Sequence, residues 1–267
     1  MSIATLEQYR KALHQRLDLI KSGGHTSVIS SWNTLWDGTG NPPAGTLAVG
    51  NTANGVVPTD TTTGAPTIAF SSSKTGYLSW IDGNATPASR IVLYDRLFHC
   101  GAYAFNANTT LTSQPSYSSR VPGGTDFTGL QIWVEAVTSF TGAPTITVTY
   151  TNQDGTAAQS TGGISLASAF ALGRMQQLPL AAGDVGVKKI ESVVATVASA
   201  GTFNIIVARP LATMRFDITQ QGAVQPIEVV GMPQVWPDSC LALLYQPDTA
   251  GNAGTQAIAF STEIASG

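Results

Sequence analysis

With 267 residues, 43% of them apolar and only 11% charged, the chain can bury a substantial core, as one large domain or as two of ordinary size. The 13 basic and 16 acidic residues give a net charge of −3 without a long block of either sign, so a surface that tracks nucleic-acid phosphates is not expected. No apolar run approaches the roughly 20 residues that cross a bilayer, and Glu7, Arg10, Lys11 and Arg16 are unlike a secretory leader, so no membrane role is expected.

Gly 27 and Pro 14, with abundant Thr and Ser, describe short strands separated by many turns, which points to an all-β protein. Sparse charge also implies a surface of Thr, Ser, Ala, Asn and Gln, which costs little to dehydrate against a neighbouring subunit. That composition suits an assembly component better than a freely diffusing enzyme. Cys100 and Cys240 sit beside apolar residues and make neither a disulfide framework nor a metal motif, so both are expected to be buried thiols.

In chain order, residues Ala4 to Lys21 read as the one strong helix. Thr5 and Gln8 have capping-box spacing, Leu6, Tyr9, Leu13, Leu17 and Ile20 recur at steps of three and four, and Gly23-Gly24 stops the pattern. This stripe is expected to lie against the β body of its own chain or against another subunit, and in the second case it is the candidate helix-mediated interface. Trp32, Leu35 and Trp36 offer anchors for packing, with sugar stacking as the alternative. After a Thr-rich loop, Thr67 to Phe70, Gly76 to Ile81 and Ser89 to Phe98 read as strands, with a turn at Asp82-Gly83-Asn84 and Asp95-Arg96 interrupting the last run. Gly101 to Gly124 is a long irregular excursion, the second candidate contact element.

Phe127 to Tyr150 holds the clearest alternation. Leu130, Ile132, Val134 and Ala136, then Ile146, Val148 and Tyr150, predict a hairpin around Thr141-Gly142-Ala143-Pro144. The hexapeptide Thr141 to Ile146 also occurs at Thr63 to Ile68, as either duplicated sandwich units or one recurring turn. A second hairpin is expected between Ser192–Val197 and Thr202–Ala208, followed by an apolar strand at Cys240 to Tyr245 that closes the body. First and last regions are expected to meet, with Ile264 to Gly267 loose at the end.

Tyr150 to Gly155, Gly173-Arg174-Met175, Leu178-Pro179-Leu180, Gly183 to Val187, Thr202 to Leu211 and Ile91 to Tyr103 together resemble structural proteins of tailed bacteriophages, over about half of the chain. The resemblance implies a β-rich protomer that repeats around a symmetric particle, as a capsid cement or decoration protein or as a neck or tail component. It further implies a major capsid protein as partner, self-association, and a place in the virion after assembly in the host cytoplasm. No residue-level role follows from it.

Chemistry finds little support. His99 and Cys100 are adjacent and would point to opposite faces of a strand, and His14 and His25 converge only through a turn, so no metal site is expected. No phosphate loop, metalloprotease or serine-hydrolase pattern is present. A glycosidase needs only two carboxylates brought together by the fold, and Asp95, Asp126 and Glu135 are the ones to inspect. We therefore expect no catalytic residue and no cofactor. The expected fold is an all-β, jelly-roll-like β-sandwich, as one body or two sandwich units, with an N-terminal α-helix. The helix or arm occupies 1–24 and the body 25–267, with a subdivision near 125 if there are two units. The expected function is a structural virion protein that binds the outer surface of a phage capsid and cross-links capsomers; a neck or tail component is the near alternative. The five tryptophans keep open a carbohydrate-binding module or receptor-binding adhesin.

Overall fold

The computed structural model describes residues 3–196, 200–249 and 256–267. The chain begins with a short helix, α1 (Leu6–Lys11), and apart from a few short helical turns its other regular elements are strands. These are β1 (Leu13–Ser22), β2 (Trp32–Thr34), β3 (Gly40–Asn41), β4 (Asn51–Val56), β5 (Gly76–Thr86), β6 (Ser89–Ala104) and β7 (Asn108–Thr110). There follow β8 (Gln131–Thr141), β9 (Thr145–Asn152), β10 (Gln159–Ser160), β11 (Ile164–Ser165), β12 (Arg174–Leu178), β13 (Val187–Thr196) and β14 (Ala200–Phe216). The last are β15 (Ala223–Gln225), a single helical turn α2 (Ile227–Val230), β16 (Gln234–Val235), β17 (Leu241–Pro247) and β18 (Ala257–Ser266).

Six strands close on themselves as an antiparallel barrel in the order β6-β14-β8-β12-β2-β17 and back to β6, with β4 added beside β6. Two further sheets flank it. One has the order β15-β5-β18-β1-β3 with β16 also on β5, and the other the order β10-β9-β13-β7 with β11 also on β9. The whole is a jelly-roll-like, all-β structure.

The period of two in the sequence explains how one strand serves several cores. On β6, Ile91 and Leu93 pack with Leu17, Leu19, Leu78, Ile81, Phe260 and Ile264 of the first flanking sheet, while Tyr94 joins Trp36, Trp133, Ile206 and Leu244 in the barrel's own cluster. The register then slips, so that Ala208 faces Arg96 and Val207 faces Phe98, leaving Leu97 as an extra residue. Beyond this bulge Phe98 and Cys100 enter the core shared with Ile146, Val148, Tyr150, Ile190 and Val193 of the second flanking sheet. The partner strand β14 does the same, giving Phe203, Ile205 and Val207 to the second core and Met214 and Phe216 to the first.

Several expectations hold. The ends meet along a continuous antiparallel register from Leu13 opposite Ser266 to Ser22 opposite Ala257. Thr5 and Gln8 form the capping box, with Gln8 N–H donating to Thr5 Oγ1 at 3.2 Å and Thr5 N–H to Gln8 Oε1 at 3.0 Å. In β9 inward and outward positions alternate along the whole strand.

Others are corrected. The helix stops at Lys11, because Ala12 is extended and the next 10 residues form β1. Leu17 and Leu19 face the core there and Ile20 faces out, so the helical spacing of Leu13, Leu17 and Ile20 is coincidental. Pairing with β18 satisfies the backbone of this segment, whereas a helix of that length is marginal without tertiary support. The strands β8 and β9 are both real but do not pair: β8 lies between β14 and β12 in the barrel, and β9 pairs with β13. The chain passes between layers through Gly142, whose φ of 87° a side chain would resist. Likewise β13 and β14 lie in different sheets, so the second hairpin is absent; Val197 lies outside the described residues.

Asp82-Gly83-Asn84 continues β5, Thr67 to Phe70 lies outside the strands, and Ile264 to Ser266 belong to β18 with Ile264 fully buried. In both copies of the repeated hexapeptide a buried Pro and Ile follow a positive-φ glycine, Pro66 and Ile68 as Pro144 and Ile146, but only the second copy starts a strand.

Candidate functional site

The carboxylates singled out for hydrolytic chemistry are placed where they cannot perform it. Glu135 is fully buried inside the barrel and accepts two parallel hydrogen bonds from Arg96, at 2.9 Å from Nη1 and 2.7 Å from Nη2. Its Oε2 also accepts from Asn204 Nδ2 at 2.9 Å, and that amide donates to Leu47 O at 2.6 Å. The Arg96 guanidinium stacks 5.0 Å over Trp36 and gives its Nε–H to His99 Nδ1 at 3.0 Å. Burial works against the Arg96 charge, but Glu135 outweighs it and holds the guanidinium above its usual range. Burial and the facing Arg96 depress His99 to about 2, so this ring is neutral and accepts.

Asp95, also fully buried, accepts from Ser239 Oγ at 2.8 Å and from Cys240 N–H at 2.9 Å, with Arg120 Nη2 at 3.5 Å. Arg120 in turn donates to Pro58 O, Asp238 O and Arg96 O. Asp126 is exposed and caps the N–H of Thr128 at 3.0 Å. Two carboxylates without exposure and one at the surface offer no shared cleft to a glycoside. Instead, the buried charges tie irregular segments to the barrel: Asn204 holds the stretch at Leu47, and Arg120 holds the excursion that carries it to the loop at Pro58.

The remaining sequence candidates are also occupied. His14 lies between Glu263 Oε1 at 2.9 Å and Tyr9 O at 2.8 Å, and His25 meets Asp37 Oδ2 at 2.5 Å. Among the described residues, no three His, Cys, Asp or Glu side chains are grouped to hold a metal ion. Cys100 and Cys240 are free and buried, and burial pushes both thiols up to about 12. Trp36 and Trp133 are buried. Trp32 rests edge-on against Trp133, while Arg16 covers Trp80 and Arg209 covers Trp236.

The proposed interface stripe is divided by the change from helix to strand. Leu6, Leu13 and Ile20 are exposed, Tyr9 is part-buried with its hydroxyl on Glu263 Oε1 at 2.9 Å, and Leu17 is in the core. What α1 does form is one wall of an apolar groove of about 280 Å³, in which Leu6 and Tyr9 face Ile227 and Met232. On the far side of α2 a second hollow of about 340 Å³ is lined by Leu211, Gln225, Val229 and Val230. Leu6, Val224 and Val229 are 74%, 69% and 63% exposed, the largest values among the big aliphatic side chains described. Sequence reading does not single out Val224 or Val229 as contact residues, because neither belongs to a run of helical or strand period.

No family model and no curated protein matches the chain. Among solved structures, it is similar to the crystal structure of the infectious bursal disease virus VP2 subviral particle, at 8% identity, covering 94% of this chain and 80% of that one with a TM-score of 0.23. The structure of the Gt strain of the same virus matches at 10% identity over 95% and 81% of the two chains, with a TM-score of 0.17. Scores this low lend no weight to any assignment of role.

Proposed function

We propose that this chain is a structural protein of a virus particle, and more specifically a cement protein that sits on the outside of a phage capsid. The observation that carries the reading is the apolar surface around α1 and α2, where Leu6, Val224 and Val229 stand exposed. Such side chains gain roughly 1.5–3 kcal/mol each when fully covered, before ordering costs, and a symmetric shell offers the cover many times over. The charged groups that a catalyst would present are, in the cases of Asp95, Arg96, Arg120 and Glu135, fully buried and joined to one another or to backbone.

On this reading the partners are a major capsid protein and further copies of this chain, the location is the virion, and assembly takes place in the host cytoplasm. The phage-protein resemblance in the sequence fits a neck or tail component equally, and position in the particle separates the two. Labelling the protein in intact particles and imaging by electron cryomicroscopy is the test. Density distributed over the icosahedral shell is the expected outcome; density confined to one vertex or to the tail rejects the cement reading in favour of its rival.

A further inference from the structure

The second flanking sheet holds a feature outside the α1–α2 surface. In β13 the pairing with β9 slips between Val187 and Lys189 and again between Ile190 and Ser192. A regular strand sends neighbouring side chains to opposite faces. With an extra residue at the first slip, Val187 and Ile190 both stay in the core while Lys188 and Lys189 are both exposed. The bulge thus exposes two lysines in succession.

Neither lysine has an ion-pair partner among the described residues; Lys188 only lies 5.7 Å over the Phe127 ring. The carboxylates of this sheet and its loops are engaged elsewhere. Glu191 accepts from Thr151 Oγ1 at 2.6 Å and from Ala158 N–H, Asp184 from Tyr150 and Asn152, and Asp154 from Gln153.

Both lysines border a cavity of about 480 Å³ whose other walls include Gln114, Ser116, Ser118 and Thr125. Gln114 is fixed by its Oε1, which accepts from Ile190 N–H at 2.9 Å, and this leaves the Nε2 amide as a donor. Ser116 Oγ donates to Ser118 Oγ at 3.0 Å, which leaves the Ser118 hydroxyl proton available. The cavity therefore combines two cations with spare neutral donors, and no carboxylate lines it. A bare anion could take hydrogen bonds from the lysines, the amide and the hydroxyls but would fill only a small part of the cavity. A neutral sugar would use the hydroxyls and leave the charge unmatched. The size suits one or two sugar rings.

We propose that this cavity binds a saccharide unit bearing a carboxylate or sulfate group. The site lies in a different sheet from the α1–α2 groove and rests on no part of the assembly reading. The test is titration of the full chain, followed by NMR or calorimetry, with a glucuronate-containing disaccharide and a sulfated heparin disaccharide, beside lactose and inorganic sulfate. At least one acidic disaccharide is expected to bind tenfold or more tighter than either comparison compound. The double variant Lys188→Gln/Lys189→Gln is expected to lose that preference while melting near the native temperature, since both side chains are exposed and neither has an ion-pair partner among the described residues; Ser118→Ala is expected to weaken binding severalfold. The proposal is overturned by absence of saturable binding at millimolar ligand, by lactose binding equally, by inorganic sulfate binding equally, or by full binding in the double lysine variant.

Discussion

Arg96 and Glu135 meet inside the barrel in a bidentate pair with neither side chain exposed to solvent. Removing one partner leaves a buried charge without its counterion, which costs on the order of 3–5 kcal/mol, whereas removing both removes the problem along with the attraction. Arg96→Met and Glu135→Leu are each expected to be strongly destabilising in urea unfolding. The double variant is expected to be more stable than the sum of the two by about 2 kcal/mol or more. It will not return fully to native stability, because Asn204 and His99 lose partners. Additive losses would show that the pair acts as two independent groups.

His99 predicts a response to acid. In the fold its pKa is depressed to about 2, while an unfolded histidine titrates at 6.5. Between these values the unfolded chain holds the extra proton, so stability rises with pH across the window and falls as pH drops below 6.5. In His99→Gln this part of the acid sensitivity should vanish, leaving the dependence due to carboxylates. Equal slopes of unfolding free energy against pH in the two proteins, from pH 6.5 to 4, would contradict the assignment.

How far the sequence could be read depends on what alternation encodes. It tells which face of a strand is covered, and so Ile146, Val148 and Tyr150 were legible as core. It does not tell which strand lies alongside, and so β8 and β9, neighbours in sequence, were joined in a hairpin although they belong to separate sheets. Leu13, Leu17 and Ile20 fit a helical step and Leu17 and Leu19 fit a strand step, and only the distant partner β18 decides between them. Asp95 and Arg96 read as an interruption in a strand drawn to Phe98; β6 continues through them to Ala104, and their charges are met by Arg120 and Glu135 from elsewhere in the chain. The cavity at Lys188 and Lys189 depends on a bulge, which no pattern of residue types in this segment announces.

Lys21 predicts a response at the other end of the pH scale. Its side chain turns inward from β1, and Nζ donates to Pro42 O at 2.7 Å and to Gly38 O and Pro43 O, both at 3.2 Å. Burial lowers its pKa to about 8, against 10.5 when unfolded. Above pH 8 the folded amine releases a proton that the unfolded chain keeps, so this group adds stability as pH rises. The gain should be read below the onset of tyrosine ionisation near 10, since burial raises Tyr94 and Tyr150 to about 12 and reverses the trend there. The difference in unfolding free energy between native protein and Lys21→Met should therefore widen from pH 7.5 to 9.5; a constant difference would refute it.

The N-terminal segment gives the sharpest contrast between two truncations. Helix α1 buries none of its residues, so deleting residues 1–11 should leave the sheets folded, apart from the loss of the Tyr9 hydroxyl at Glu263. Deletion through Lys21 instead removes nearly all of β1 from its place between β18 and β3, uncovering Ile258, Phe260 and Ile264, and should unfold the first flanking sheet. If the α1–α2 groove is the assembly contact, the shorter deletion and the double substitution Leu6→Ser/Ile227→Ser should each weaken self-association or particle attachment about tenfold. That loss corresponds to about 1.4 kcal/mol, less than the burial of one such side chain. Circular dichroism and light scattering on the three variants, with occupancy on purified particles, make the measurement. Unchanged oligomer mass together with unchanged occupancy in the shorter deletion and the double substitution would remove this groove from the assembly contact.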